Sequence, residues 1–364
     1  MPSIHKLQLS SFRNISQASL SPAARVNLVA GENGSGKSSL LEAIYLLGMG
    51  RSFRNTQQTP LIQQGQRTCS VFVQLNTDYA LGISRSLDDA PQIKIQGEKA
   101  QSTAELAKHL PLQLLNAEAF HLLEGGPKSR RQYLDWGVFH VEHAFFNHWR
   151  SFRRSLQNRN SLLKKHAPLS ELVPWTREMV RHAMEIDKFR KEYLESFLPF
   201  LRNMLSSLIT LEDLSFRYYR GWAEEESLED VILRNQDRDF SLGYTTAGPQ
   251  RADLKIRMAS QNACDILSRG QQKLVVSAMK LAQGAFLSSH SGQECLYLID
   301  DLPAELDRVN RRKVCMLLND LSGQIFITGT DSDDLAQALE ESGLDSQEYK
   351  LFHVEHGKIK ELER

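Results

Sequence analysis

"GENGSGKS", Gly31 to Ser38, comes directly after the apolar run "VNLVA" and directly before a stretch whose apolar residues recur every three or four positions. It fits G-x-x-x-x-G-K-[ST], in the strand–turn–helix setting that this motif physically needs. Backbone N–H groups of the turn and of the following helix start converge on an anion, and the helix dipole adds partial positive charge. Gly34 and Gly36 permit a tight, close-approaching backbone, Lys37 stands to neutralise β and γ phosphates, and the Ser38 hydroxyl stands to complete a Mg²⁺ shell. The expected cradle therefore comprises Gly31, Glu32, Asn33, Gly34, Ser35, Gly36, Lys37, Ser38 and Ser39. An incidental lysine in a glycine-rich turn would leave the flanking strand and helix patterns unexplained.

Outward from this turn, the first 115 residues read as an α/β lobe. Short strands ("CSVFVQL", "YALGIS", "IKIQG", "LQLL") surround one helix over Ser38–Leu47. The texture then changes. Leu134, Val138, Val141, Phe145, Trp149, Phe152 and Leu156 recur at helical spacing, and so do Trp175, Met179, Ala183, Ile186, Phe189, Tyr193 and Phe197. With "HAPLSELVP" between them, the two runs suggest an antiparallel helical hairpin, the second helix kinked or ended by Pro199. Strand patterns return in "FSLGYTT", "ADLKIRM", "CLYLID" and "QIFIT", and a last hairpin is expected around His356–Gly357. The fold class expected is α/β, a mixed sheet with flanking helices, interrupted by an α-helical arm. The two lobes of the head are placed at 1–115 and 239–364 and the arm at 116–238.

Two carboxylates end the apolar strand "CLYLIDD". In a P-loop ATPase, Asp300 would hold Mg²⁺, often through water, and Asp301 would orient or activate the attacking water. Asp301 is a methylene shorter than a glutamate, so turnover is expected to be slow. Catalytic roles are thus expected of Lys37 and Asp301, and metal ligation of Ser38 and Asp300.

Bulk composition adds mostly exclusions. Among 364 residues, Lys plus Arg and Asp plus Glu number 44 each, so attraction for a polyanion must come from local clustering. The four cysteines, Cys69, Cys264, Cys295 and Cys315, are far apart among apolar neighbours, which reads as reduced core thiols in a cytoplasmic protein. Neither a secretory leader nor a membrane span is indicated, and no H-E-x-x-H pairing suggests a metal enzyme.

"LSRGQQK", Leu267 to Lys273, puts Ser268 at the N-cap position of an amphipathic helix lined by Val275, Ala278, Met279, Ala282 and Ala285. It also resembles the "LSGGQ" signature of the ATP-binding-cassette superfamily, and "LYLIDDLPAELD" matches that superfamily's next block in order and spacing. The resemblance implies that Ser268, Gly270 and Gln271, with Asp307 nearby, serve ATP held by the P-loop of a second chain. Two chains would then enclose two ATP molecules. "FRNI" at 12–15, "GRSFR" at 50–54, "NAEAFHLLEGGPKSRRQYLDWGVF" at 116–139 and "GPQRADL" at 248–254 are similar to the RecF family of bacterial recombination-mediator ATPases, over essentially the whole chain.

This resemblance implies an ATP- and Mg²⁺-dependent homodimer that binds DNA at single-strand gaps. With RecO and RecR it would promote RecA loading for gap repair, replication maintenance and the SOS response. It also implies that Arg13 approaches nucleotide phosphates and that Asn116 stands where relatives carry the Q-loop glutamine. "FITGTDSDD" lacks a switch histidine, leaving Thr328 and Thr330 as the nearest polar candidates. The first arm helix carries Arg150, Arg153, Arg154, Arg159, Lys164 and Lys165 with no acid between 144 and 170, interleaved with Trp149 and Phe152, and reads as a phosphate-tracking surface. Lys128, Arg130 and Arg131 would extend it. A transporter nucleotide-binding subunit is the alternative, but it would carry a conventional Q-loop and histidine switch. A cassette-linked nuclease is another, but "DSDD" at 331–334 reads as a helix cap and not as metal ligands.

Overall fold

The computed structural model describes residues 3–54, 61–302, 306–343 and 348–362. By contacts the chain divides into two compact units: a head of Met1–Ala119, Ser207–Ile209 and Arg269–Arg364, and an arm of Phe120–Ser206 and Thr210–Ser268.

The head begins with β1 (Ile4–Phe12), β2 (Ile15–Leu20), β3 (Val26–Ala30), α1 (Lys37–Met49), β4 (Thr68–Leu75), β5 (Ala80–Ser86), β6 (Gln92–Ile95), β7 (Glu98–Lys99), α2 (Thr103–His109) and β8 (Leu112–Leu115). Strands β2-β1-β4-β5-β6-β7 form an antiparallel sheet. β1, β4 and β5 alternate buried and more exposed positions, as strands covered on one face do. β3 is buried at all five positions, as a central strand of a parallel array must be. Helix α1 touches β1, β4 and β5 of the first sheet and β8 of the second. That placement between layers explains why almost every position from Ser39 to Gly48 is buried and apolar.

The arm comprises α3 (His121–Glu124), α4 (Pro127–Val141), α5 (Phe145–Lys164), the 40-residue α6 (Leu169–Leu208), β9 (Leu214–Tyr219), α7 (Leu228–Arg234), α8 (Gln236–Leu242), β10 (Asp253–Met258), β11 (Gln261–Asn262) and α9 (Ala263–Ile266). Here the structure departs from sequence expectation in several places. The run from Leu134 to Leu156 is two helices, because Glu142 adopts an extended backbone (φ −107°, ψ 103°) that ends α4. The expected loop "HAPLSELVP" is mostly helix, and α6 continues through both Pro174 and Pro199. A mid-helix proline costs about 3 kcal/mol. Around Pro199 the buried Tyr193, Leu194, Phe197, Leu201 and Leu205 outweigh that, at about 1.5–3 kcal/mol each. "FSLGYTT" supplies the end of α8, closed by Gly243 at φ 70°, and not a strand.

The arm also reaches further than expected. Residues 239–268, assigned from sequence to the second head lobe, belong to the arm, because β10 pairs with β9 and β11 in a separate three-stranded antiparallel sheet. The first boundary falls at Ala119 and not at 115.

The chain returns to the head through α10 (Arg269–Ser291), β12 (Leu296–Ile299), the helix Arg308–Asp320, β13 (Ile325–Gly329), the helix Ser332–Glu340, and β14 (Tyr349–Glu355) with β15 (Lys358–Leu362). The second head sheet runs β15-β14-β3-β13-β12-β8, parallel from β14 to β8 and closed at one edge by an antiparallel hairpin. That hairpin turns at His356 (φ 47°) and Gly357 (φ 76°), the left-handed pair a two-residue turn requires.

A candidate phosphate and metal site in the head

The parallel register of β3, β13 and β12 brings the ends of three strands together, and the turn Gly31–Gly36 crosses that edge before α1 begins. Its backbone is held from two sides. Gly357 N–H donates to the Ser35 carbonyl (2.8 Å). Asn14 Nδ2 donates to the same oxygen (2.9 Å), while the Ser39 hydroxyl donates to Asn14 Oδ1 (2.9 Å). Gly36, at φ 125°, holds a backbone that side-chain-bearing residues rarely adopt, and a Cβ there would press on the Asn14 amide at 3.0 Å.

Lys37 is buried and donates from Nζ to the Gly31 (2.6 Å) and Glu32 (2.9 Å) carbonyls. Burial lowers its pKa, partly offset by Asp301 and Asp300. The Ser38 hydroxyl donates to Asp300 Oδ1 (3.0 Å), and the Thr328 hydroxyl donates to the same oxygen (2.8 Å). Burial raises the Asp300 pKa, which the two hydroxyls only partly counter. Thr328 Oγ1 also accepts the Asp301 N–H (2.7 Å), fixing Asp301 at φ 54°. Thr328, expected only as the nearest polar residue to a missing histidine, is therefore the hinge of the carboxylate pair.

These groups open onto a cavity of about 690 Å³, lined among others by Arg13, Asn14, Lys37, Arg54, Asp300 and Asp301. Its residues suit a nucleoside triphosphate and Mg²⁺. The Ser35 hydroxyl oxygen is buried with no hydrogen-bond partner among the described residues. A Cβ on Gly34 would meet nothing within 4 Å, so this backbone is open to a close-approaching ligand. Ser38 and Asp300 oxygens 3.0 Å apart match the edge of an octahedron with Mg–O bonds of ~2.0–2.1 Å. A half-buried carboxylate with a raised pKa is a site that gains from a cation.

Arg13, expected to approach nucleotide phosphates, lines the cavity, with its backbone in the left-handed region at φ 55°. Its Nε and Nη2 are taken by Glu42, a fully buried carboxylate on α1, at 2.8 and 2.7 Å, and Ser52 donates to the same Glu42. Asn14, Arg54, Gln63 and Gln64 also line the cavity and were not expected. "FRNI" and "GRSFR" held the signal for the first two, since each motif contains one of them.

Other expected positions lie elsewhere. Asn116 is buried and its Oδ1 accepts the Ala119 N–H (3.0 Å); it caps a single 3-10 turn and does not line the cavity. Ser268, exposed, immediately precedes α10. A Cβ on Gly270 would stand 3.8 Å from the Asn310 amide, and Asn310 N–H and Nδ2 both bond Asp307 (2.9 and 2.6 Å). The structure thus brings Gly270 and Asp307 together, while neither they nor Gln271 line the cavity of Lys37. Of "PAELD", only Leu306 and Asp307 lie within the described residues.

On α5, Arg150, Arg153, Arg154, Lys164 and Lys165 are exposed, with the Arg153 guanidinium 4.7 Å from the Trp149 ring centroid. Arg159 is a correction. It is 1% exposed and bonded to Asp239, Thr245 and Thr176, so it holds the arm together and faces no external ligand. Arg130 and Arg131 are likewise tied inside, to Asp253 and to the Ala252 carbonyl. Cys264 is partly exposed, unlike the three buried cysteines. Among the described residues, no group of three or more His, Cys, Asp and Glu is placed to hold a metal, and no helix is long and apolar enough to cross a membrane.

A glycine-rich turn on a parallel strand and a hydroxyl–carboxylate pair across from it, in a head of two sheets, define a P-loop ATPase head of the SMC-like class. The RecF/RecN/SMC N terminal domain family matches residues 3–359. The DNA replication and repair protein RecF of Stutzerimonas stutzeri is 45% identical, covering 99% of this chain and 98% of its own, and that of Pseudomonas fluorescens strain Pf0-1 is 46% identical, covering 98% of each. Among solved structures, the recombination mediator RecF with ATP in the RecFOR pathway superposes with a TM-score of 0.87 at 27% identity, over 100% of this chain and 98% of that one. An SMC head bound to a winged-helix domain of ScpA shares the fold at TM-score 0.59 and 16% identity, over 99% of this chain and 97% of that one. The chain belongs to the RecF family of DNA replication and repair proteins.

Proposed function

We propose that the protein is an ATP-dependent recombination mediator whose homodimer closes on DNA at single-strand gaps. With RecO and RecR it promotes RecA loading, serving gap repair, replication and SOS induction. The observation that carries the ATP switch is that Lys37, Ser38 and Asp300 line one cavity, with Ser38 bonded to Asp300 and Thr328 holding Asp300 from behind. Lys37, Ser38 and the turn backbone hold the triphosphate, Ser38 and Asp300 hold Mg²⁺, and Asp301 orients water for slow hydrolysis. Bound Mg²⁺ supplies charge neutralisation at the phosphates.

Dimerisation is supported by the separation of two halves of the chemistry. Gly270, Gln271 and Asp307 do not line the cavity that holds Lys37 in their own chain, and we take them to serve the nucleotide of a second one. ATP is then the element that joins the two chains, and hydrolysis reopens them. The relatives bearing the RecF name and the RecFOR description support the pathway.

Light scattering with and without ATP and gapped DNA tests this reading. The wild type is expected to double in mass with ATP, Lys37→Met to lose nucleotide binding, and Ser268→Arg to bind ATP yet stay single. A Ser268→Arg protein that still pairs with ATP refutes the shared site.

A further inference from the structure

The two faces of the arm sheet β11-β10-β9 differ in chemistry. Phe216, Leu254 and Ile256 lie on one face and are buried. On the other, the antiparallel register sets Lys255 directly opposite Arg217, Arg257 opposite Ser215 and Asp253 opposite Tyr219. Arg217 and Lys255 are exposed, Arg257 partly so, and Tyr219 is 40% exposed.

Directly opposed side chains have Cβ atoms about 4.5–5.5 Å apart, and like charges there destabilise a sheet. The head shows the ordinary solution: in the β14–β15 hairpin Glu355 stands directly opposite Lys358, and Lys350 reaches diagonally to Glu361 at 2.9 Å. The arm sheet does the opposite. Among the described residues no carboxylate lies within ion-pair distance of Arg217, Lys255 or Arg257, and Arg257 Nε is buried without a partner. Asp253, the acid on the same face, is already held by Arg130 at 2.7 Å. Lys255 Nζ rests instead 5.1 Å from the Tyr219 ring centroid.

We propose that this face, Arg217, Lys255 and Arg257 with Tyr219, binds single-stranded DNA. Three cations on one face, Lys255 and Arg257 two residues apart along β10 and Arg217 directly across from Lys255 on β9, offer adjacent phosphate contacts. The exposed aromatic ring beside them offers a stacking surface for an unpaired base, the pairing of features that single-strand sites use. The absent counter-charges are what the strand supplies, so a like-charge pair that weakens the sheet is retained for its ligand. The inference rests on the DNA-binding reading above and names where the strand lies.

The test is fluorescence anisotropy of the full chain with ATP and a labelled single-stranded oligonucleotide across a salt series, for wild type, Arg217→Gln/Lys255→Gln, Tyr219→Ala and Arg150→Gln/Arg153→Gln/Arg154→Gln. Losing two phosphate contacts is expected to lower the slope of log K against log salt by about 1.4, at ~0.7 per contact. Affinity is expected to fall at least tenfold at moderate salt, while nucleotide binding is kept and the melting temperature is unchanged or raised. Tyr219→Ala is expected to weaken single-strand binding and leave duplex binding unaltered. Wild-type affinity and slope in Arg217→Gln/Lys255→Gln overturn the inference alone, as does a loss confined to duplex or to the α5 variant. A wild type that binds no DNA overturns the DNA-binding reading as well.

Discussion

Arg159→Ala separates a DNA contact from a structural tie. The Arg159 side chain is 2% exposed, its Nη1 donates to Asp239 Oδ2 at 2.8 Å and to Thr245 Oγ1 at 2.5 Å, and its Nε donates to Thr176 at 3.1 Å. Removing one partner of a buried pair costs about 3–5 kcal/mol, because the remaining charge is stranded. Asp239 keeps two bonds on its other oxygen, from Thr246 N–H (2.9 Å) and Thr246 Oγ1 (2.7 Å), which places the loss near the lower bound, about 3 kcal/mol. With a urea m-value of ~1–3 kcal/mol/M, the arm's midpoint falls by at least ~1 M.

Urea unfolding followed by arm tryptophan fluorescence measures this. Replacing both partners, Arg159→Met with Asp239→Leu, recovers only part of the loss, since the Thr246 N–H then lacks its acceptor. Arg153→Ala, on the exposed face of the same helix, shifts the midpoint little. An Arg159→Ala protein with unchanged unfolding and weakened DNA binding would refute the reasoning.

Two further outcomes follow from buried groups. Thr328→Val removes a hydroxyl donor from Asp300 and the acceptor of the Asp301 N–H; it is expected to raise the Mg²⁺ concentration that half-supports ATP hydrolysis about tenfold, and an unaltered Mg²⁺ titration would count against Thr328 as the hinge. His140 is 6% exposed and burial lowers its pKa to about 3, against an unfolded value of about 6.5, so the unfolded chain binds the extra proton between these limits and stability falls as pH falls through that window. Between neutral pH and pH 5 the loss is about 2 kcal/mol at 1.36 kcal/mol per unit, and His140→Gln should abolish that part of the slope in unfolding measured against pH.

What the sequence disclosed and what it hid divide by range. The phosphate turn was readable because its chemistry is local: glycines, a lysine and a serine within eight residues, bounded by strand and helix patterns. Asp300 was readable for the same reason, as the polar end of an apolar run. Arg159 was not, because its partner stands 80 residues away and an arginine on a helix looks alike whether it faces water or Asp239. Nor was the hold of Gly357 on Ser35, which joins opposite ends of the chain. The assignment of 239–268 failed because strand patterns report a face to be buried but not which partner strand buries it; β10 found β9 within the arm.

Several departures from local preference gather at the two surfaces assigned here to ligands. Arg13 and Asp301 hold left-handed backbones at φ 55° and 54°, each costing about 1–3 kcal/mol. Ser35 keeps a buried hydroxyl oxygen without a partner among the described residues, and Asp300 carries a carboxylate that burial pushes toward protonation. On the arm, Lys255 faces Arg217 with no acid between them. The last three are each relieved by one chemical event: phosphate arriving at Ser35, a cation at Asp300, a polyanion at the arm sheet. Arg159 and Asp239 are the contrast, a charged pair already complete within the chain, which leaves neither group in need of an external ligand. If ATP with Mg²⁺ left the stability of the head unchanged while the arm variant Arg217→Gln/Lys255→Gln were less stable than wild type, that correspondence would fail at both ends.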